Sequence, residues 1–213
     1  MDGTHAKEIS ELLTSAYPNA KCELDYTSNY ELLIATVLSA QCTDKRVNKV
    51  TKELFRVANT PAAMLKLGQA VLQQIIHSCG FYHTKSKSIL ELSADIISKH
   101  GGEVPSSLEE LTALRGVGRK TANVVLSEAF GQNTIAVDTH VFRVSKRLGL
   151  SSGKTPLAVE KDLMAIYGEN AGKMHQLLIF HGRYCCKAIK PNCEECPIIG
   201  CSFGDRISSL IEK

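Results

Sequence analysis

The chain has 213 residues, 44% hydrophobic and 22% charged, with a net charge of +3. That is a globular composition with material for one large domain or two small ones, and it excludes a low-complexity chain. No apolar run reaches the about 18 residues of a membrane span, and the opening MDGTH has no basic-then-apolar leader, so a cytoplasmic protein is expected.

Helical spacing dominates from start to end. Residues 7–16 are amphipathic and stop at Tyr17-Pro18-Asn19. Residues 29–40 read as a buried helix through Leu32, Leu33, Ala35, Val37 and Leu38. Thr43 or Asp44 then caps a helix to about Ala58, Pro61 opens another, and helices near 69–78 and 84–100 follow, the last closed by Gly101-Gly102. No stretch alternates as a strand would. The expected class is all-α, built of helices of roughly 8 to 17 residues with short connections.

Residues 106–126, SSLEELTALRGVGRKTANVVL, carry the strongest local signal. Ser106 and Ser107 each stand three residues before a glutamate, so either can form a capping box, and Leu108, Leu111 and Leu114 then share one face. Arg115-Gly116-Val117-Gly118 interrupts, and a second amphipathic helix places Ala122, Val125, Leu126 and Ala129 on one side. Glycine permits positive φ and close approach of a phosphate to the main chain, while the following helix presents unpaired amides. Val117 would anchor the tip, and Arg115, Arg119 and Lys120 supply cations. An ordinary helical hairpin whose glycines are C-caps is the competing reading, and the apolar anchor and flanking helices favour binding of a nucleic-acid backbone over it. A net charge of +3 does not argue for this by itself, but its distribution helps. Residues 43–56 hold Lys45, Arg46, Lys49, Lys52 and Arg56 against Asp44 and Glu53, and residues 181–190 hold Arg183, Lys187 and Lys190 with no acid.

Two further positions stand out. Lys120 falls in the first turn of the second helix, where the positive end of the dipole disfavours a cation; an ordinary lysine there contacts phosphate. Asp138, in IAVDTHV, reads as the N-cap of a helix starting at Thr139 or His140.

Five of the eight cysteines lie within residues 185–201, and Cys186, Cys193, Cys196 and Cys201 have the spacing C-x6-C-x2-C-x4-C. Disulfides are not expected in an intracellular chain, which leaves a metal. Structural zinc more often uses two separated pairs, whereas four thiolates in one loop suit an iron–sulfur cluster; zinc stays open, as does ligation by Cys185. Cys22, Cys42 and Cys79 are scattered and read as buried small apolar residues.

LRGVGRKTANVVL at 114–126 followed by VDTHVFRV at 137–144 resembles the endonuclease III family of helix-hairpin-helix DNA glycosylases, a likeness running from about residue 20 to residue 201. The family usually has proline before the first glycine, where this chain has Arg115, and five residues before its last cluster cysteine, where this chain has four. The resemblance implies a helical barrel domain over 21–132, with its helix-hairpin-helix at 106–126, and a second domain formed by 1–20 and 133–213, with DNA in the cleft they make. It implies Lys120 as nucleophile and Asp138 as the essential carboxylate of a bifunctional glycosylase and AP lyase that removes oxidised pyrimidines from duplex DNA. It further implies Gln41 and Phe81 as the residues that fill the gap left by an extruded base, with plain core packing as the equal alternative for Phe81. DNA contacts at Arg115, Gly116, Val117, Gly118, Arg119, Lys187 and Lys190 follow as well, as does a four-iron, four-sulfur cluster on Cys186, Cys193, Cys196 and Cys201. A monomer is expected. Two competing readings are an adenine-removing monofunctional glycosylase, which in the family pattern lacks the amine and carries a further C-terminal domain, and a non-catalytic DNA-binding module.

Overall fold

A computed structural model describes residues 3–198 together with 200, 201 and 203, and every regular element among them is helical. The helices are α1 (Gly3–Ala16), α2 (Asn29–Ser39), α3 (Asp44–Val57), α4 (Pro61–Leu67), α5 (Gln69–Ile76), α6 (Tyr82–His100), α7 (Leu108–Ala113), α8 (Arg119–Phe130), α9 (Thr139–Arg147), α10 (Pro156–Tyr167) and α11 (Ala171–Tyr184). Their starts are set by local chemistry. Side chains of Ser28, Thr43, Thr60, Ser107, Asp138 and Thr155 each accept a backbone N–H three residues on, and Pro61 and Pro156 occupy first-turn positions where no N–H is needed. At α7 it is Ser107 that caps: it accepts from Glu110 N and donates to the Glu110 carboxylate at 2.6 Å. Three ends depart from expectation, the first being α1, which begins at Gly3 rather than at residue 7. The helix expected to 78 gives way after Ile76 to a tight 3-10 turn, His77–Cys79, and the next helix begins two residues early, at Tyr82.

The chain divides into two compact units, Met1–Cys22 with Asn133–Lys213, and Glu23–Gln132. Helical periodicity carries no sign of that division, because each helix has an apolar face whichever unit buries it. In the Glu23–Gln132 unit, α2 is buried from Tyr30 through Leu38 and is the central helix, with α3, α6 and α8 packed on it. In the other unit, α1, α9, α10 and α11 enclose Ile9, Leu13, Val141, Val144, Leu163 and Leu178. Helices α9 and α11 pack tightly at Gly182, where a Cβ would stand 2.9 Å from His140 Cβ and 3.1 Å from Val144 Cγ2. Among the described residues no helix is long and apolar enough to cross a membrane.

Candidate active site and metal centre

The hairpin between α7 and α8 is built around one glycine with a left-handed backbone. Gly116 has φ +80°, and a Cβ there would come within 2.8 Å of Ser88 Cβ on α6. Glycine is required both by conformation and by space. At Gly118 only one of the two expected roles of glycine is absent: its φ is −87°, extended, and a Cβ would meet nothing, so space for an approaching group is what it offers. Val117 is buried and anchors the tip, with its N–H bonded to Leu114 O. Lys120 is the second residue of α8, and Arg119 and Lys120 are both exposed. Arg115, expected near a phosphate, lies 3.6 Å from the Glu91 carboxylate; both side chains are exposed, so the pair is weak and readily exchanged.

Two turns of the same unit have unusual backbones. Gln41 follows the end of α2 with φ +54°, and Phe81 precedes α6 with φ +47°. Phe81 is 64% exposed, which removes core packing as an explanation for its side chain. Left-handed conformations of non-glycine residues cost about 1 kcal/mol or more each and mark positions held by their surroundings. The scattered cysteines also differ from expectation: Cys79 is buried, but Cys22 and Cys42 are partly exposed.

In the unit containing α9, Asp138 is the N-cap of that helix, with its Oδ1 accepting from Val141 N at 2.8 Å and its carboxylate half-exposed. Arg143 and Arg147, four residues apart on α9, reach the cysteine loop. Arg143 donates to Gly182 O at 2.8 Å and from two nitrogens to Cys186 O at 3.1 Å. Arg147 donates to Lys187 O at 2.7 Å and Ala188 O at 3.3 Å, with Cys186 Sγ at 3.4 Å. Lys187 and Lys190 stand exposed on that loop, Lys190 with φ +51°.

The cysteines themselves converge. Cys185, Cys186, Cys193, Cys196 and Cys201 line one cavity of about 240 Å³ with His181. Burial, followed by the charges of Cys196, Cys186 and Cys193, pushes the Cys185 thiol up to about 12; burial and the charges of Cys186, Cys196 and Cys201 raise Cys193. Thiols that repel one another's ionisation in this way are ones a cation stabilises together as thiolates, so the donor set fits an iron–sulfur cluster. His181 is fully buried and, through that burial, its pKa falls to about 4, so the ring is neutral. Its Nδ1 lies 3.2 Å from the Tyr17 hydroxyl and its Nε2 3.9 Å from Cys196 Sγ. With Tyr17 O–H donating to Nδ1, the Nε2–H faces the sulfur, an outer contact that orients a ligand.

Comparison with known proteins agrees with this geometry. Residues 34–169 match the family described as HhH-GPD superfamily base excision DNA repair protein, and residues 186–200 match the iron–sulfur binding domain of endonuclease III. Endonuclease III of Haemophilus influenzae is 48% identical over 97% of this chain and 99% of its own length. That of Bacillus subtilis is 51% identical over 89% of this chain and 88% of its own. A solved structure of a trapped endonuclease III–DNA covalent intermediate superposes with a TM-score of 0.93 at 46% identity, covering 98% of this chain and 99% of that one. The chain belongs to the endonuclease III family. It is a base excision repair enzyme, a DNA glycosylase with AP-lyase activity, and it carries an iron–sulfur cluster domain.

Within the endonuclease III frame, the domain match stops at residue 200, one short of Cys201, where this chain has the shorter final spacing. Cys201 nevertheless lines the same cavity, its Sγ 3.5 Å from Arg147 O. Cys185 lies with His181 and Cys196, their ligand atoms within 4.8 Å of one another. Sequence reasoning missed Tyr17, Arg143, Arg147 and His181. The i, i+4 arginines on the helix after Asp138 were the one available signal; a lone buried histidine and tyrosine gave none.

Proposed function

We propose that this enzyme removes oxidised pyrimidines from duplex DNA with Lys120 as nucleophile and Asp138 as the assisting carboxylate. The observation that carries the reading is Lys120, exposed in the first turn of α8 just after Gly118. Gly118 has ordinary φ and open space where its Cβ would be, so nothing inside the protein asks for glycine there. Close approach of outside atoms, a DNA phosphate, to the Gly118–Lys120 amides supplies the reason.

The chemistry follows from an amine and a carboxylate at one deoxyribose. The neutral Lys120 Nζ attacks C1′, the bond from C1′ to the base breaks, and the base departs taking a proton. Asp138 stabilises the positive charge that builds on the sugar. The C1′–O4′ bond then opens as O4′ takes a proton from solvent, leaving a protonated Schiff base; loss of the C2′ proton to that electron sink expels the 3′ phosphate by β-elimination, and water frees the lysine. Extrusion of the lesion leaves a gap, into which Gln41 and Phe81 enter, Phe81 stacking on neighbouring bases. Arg115, Arg119 and the hairpin amides of Gly116, Val117 and Gly118 hold the backbone, and Lys187 and Lys190 contact it from the cysteine loop. Cys186, Cys193, Cys196 and Cys201 hold a four-iron, four-sulfur cluster whose role is to fix that loop. The hairpin and the nucleophile belong to one chain, so a monomer suffices.

Three duplexes discriminate the readings: one with thymine glycol, one with an abasic site, one with adenine opposite 8-oxoguanine. Nicking of the first two without alkali, together with borohydride trapping of wild type but not of Lys120→Ala, is the expected result. Trapping that persists in Lys120→Ala removes the nucleophile assignment. Base loss without nicking would point to a monofunctional enzyme, and binding alone to a DNA-binding module.

A further inference from the structure

Lys85 sits in the first turn of α6, 7% exposed. Its Nζ donates to Leu38 O at 2.9 Å, Ala40 O at 2.8 Å and Cys79 O at 2.9 Å. An ammonium has three hydrogens, and here each has a carbonyl. No carboxylate lies within ion-pair distance of it among the described residues. The charge is therefore stabilised by backbone dipoles, two of them at the C-terminal end of α2, where carbonyls lack helical partners and the dipole is negative.

The location of those carbonyls gives the contact its meaning. Ala40 immediately precedes Gln41, and Cys79 lies two residues before Phe81. These are the two described residues of the Glu23–Gln132 unit, glycines aside, with positive φ. Lys85 is thus bonded at the root of both turns, and the Phe81 carbonyl accepts the Lys85 N–H at 2.9 Å, tying the second turn to the same residue from its backbone. Strained backbones of this kind persist where the surroundings over-determine them.

We propose that Lys85 is a positioning residue for opening the duplex: its buried ammonium clamps the Gln41 turn to the Phe81 turn, so that both side chains enter DNA as one preformed unit. The proposal rests on the reading that Gln41 and Phe81 fill the gap left by the extruded base. Prior ordering of both turns removes an entropic cost from the opening step. Catalysis at Lys120 is not touched by it.

Lys85→Met keeps the length and apolar stem and removes the charge and donors. Three measurements on the full-length holoenzyme decide. The single-turnover rate on a thymine glycol duplex should fall about tenfold to a hundredfold, the loss of stacking energy of one base expressed as a ratio. Cleavage of a single-stranded abasic oligonucleotide, which needs no extrusion, should stay within about threefold. A 2-aminopurine placed opposite the lesion should lose the fluorescence rise that accompanies its unstacking. Equal loss on both substrates, an unchanged duplex rate, or a variant that fails to fold with its helicity and iron content intact would each overturn the proposal. Gln41→Ala and Phe81→Ala separate the two levels. If both keep the duplex rate, the gap-filling reading is wrong; if both lose it while Lys85→Met does not, only the clamp is wrong.

Discussion

Replacing Gly116 with alanine sets a Cβ 2.8 Å from Ser88 Cβ and 3.0 Å from its Oγ, at a residue whose φ is +80°. Alanine in the left-handed region costs about 1–2 kcal/mol. The overlap adds about 1–3 kcal/mol, because the nearest obstacle is the Cβ of a buried helical residue and cannot rotate away. Gly116→Ala should therefore destabilise its unit by about 2–5 kcal/mol. Ser88→Gly removes both obstructing atoms at the expense of a glycine inside α6, about 1 kcal/mol. Combined with Gly116→Ala, it leaves the backbone strain and the helix penalty but not the overlap, so the double variant should sit about 2–3 kcal/mol below wild type. The cycle then shows about 1–3 kcal/mol of coupling, the overlap itself. Urea unfolding of the four proteins, followed by far-UV helicity, measures it, and visible absorbance of the cluster reports separately on the unit that carries it. A coupling below about 0.5 kcal/mol would refute the claim that Ser88 sets how closely the hairpin lies on α6. Affinity for an abasic duplex should recover along with stability in the double variant.

Other substitutions test other parts of the site. Asp138→Asn keeps a capping oxygen for Val141 N–H and should change stability by less than about 1 kcal/mol, yet slow single-turnover excision at least about a hundredfold; equal effects on both would reduce Asp138 to a cap. Arg147→Met removes the donors to Lys187 O and Ala188 O, and chelator-driven iron loss should quicken about tenfold or more; an unchanged rate would mean the loop holds without it. Phe81 is 64% exposed, so Phe81→Ala should leave unfolding within about 0.5 kcal/mol of wild type while weakening duplex binding by about 1–3 kcal/mol. Calorimetry and a binding titration check the pair, and a large loss of stability would return Phe81 to the core.

Much of the fold was legible because helix boundaries are local. Thr43, Ser107 and Asp138 each cap a donor three residues ahead, and Pro61 fits the first turn whatever packs around it. The hairpin and the crowded cysteines could be read for the same reason: the residues that make them are neighbours in the chain. Local pattern could not divide the two roles of glycine between Gly116 and Gly118, since a glycine's letter does not say whether it serves φ or approach. It also could not weigh Phe81, whose exposure depends on what surrounds it.

What only tertiary structure decided lies at long separation. Lys85 finds its carbonyl at Leu38 across 47 positions, and Arg147 finds Lys187 across 40. Tyr17 meets His181 across 164, and the imidazole turns toward Cys196 through that contact. A periodicity of three or four residues encodes which face of a helix is buried but not which other helix buries it. The sequence by itself thus determined the helices, the glycine turn and the thiol loop, while the fold chose the partners of each buried polar group. The reason is that a donor taken out of water must be paired by whatever acceptor the packing brings within reach, and no local rule names that acceptor.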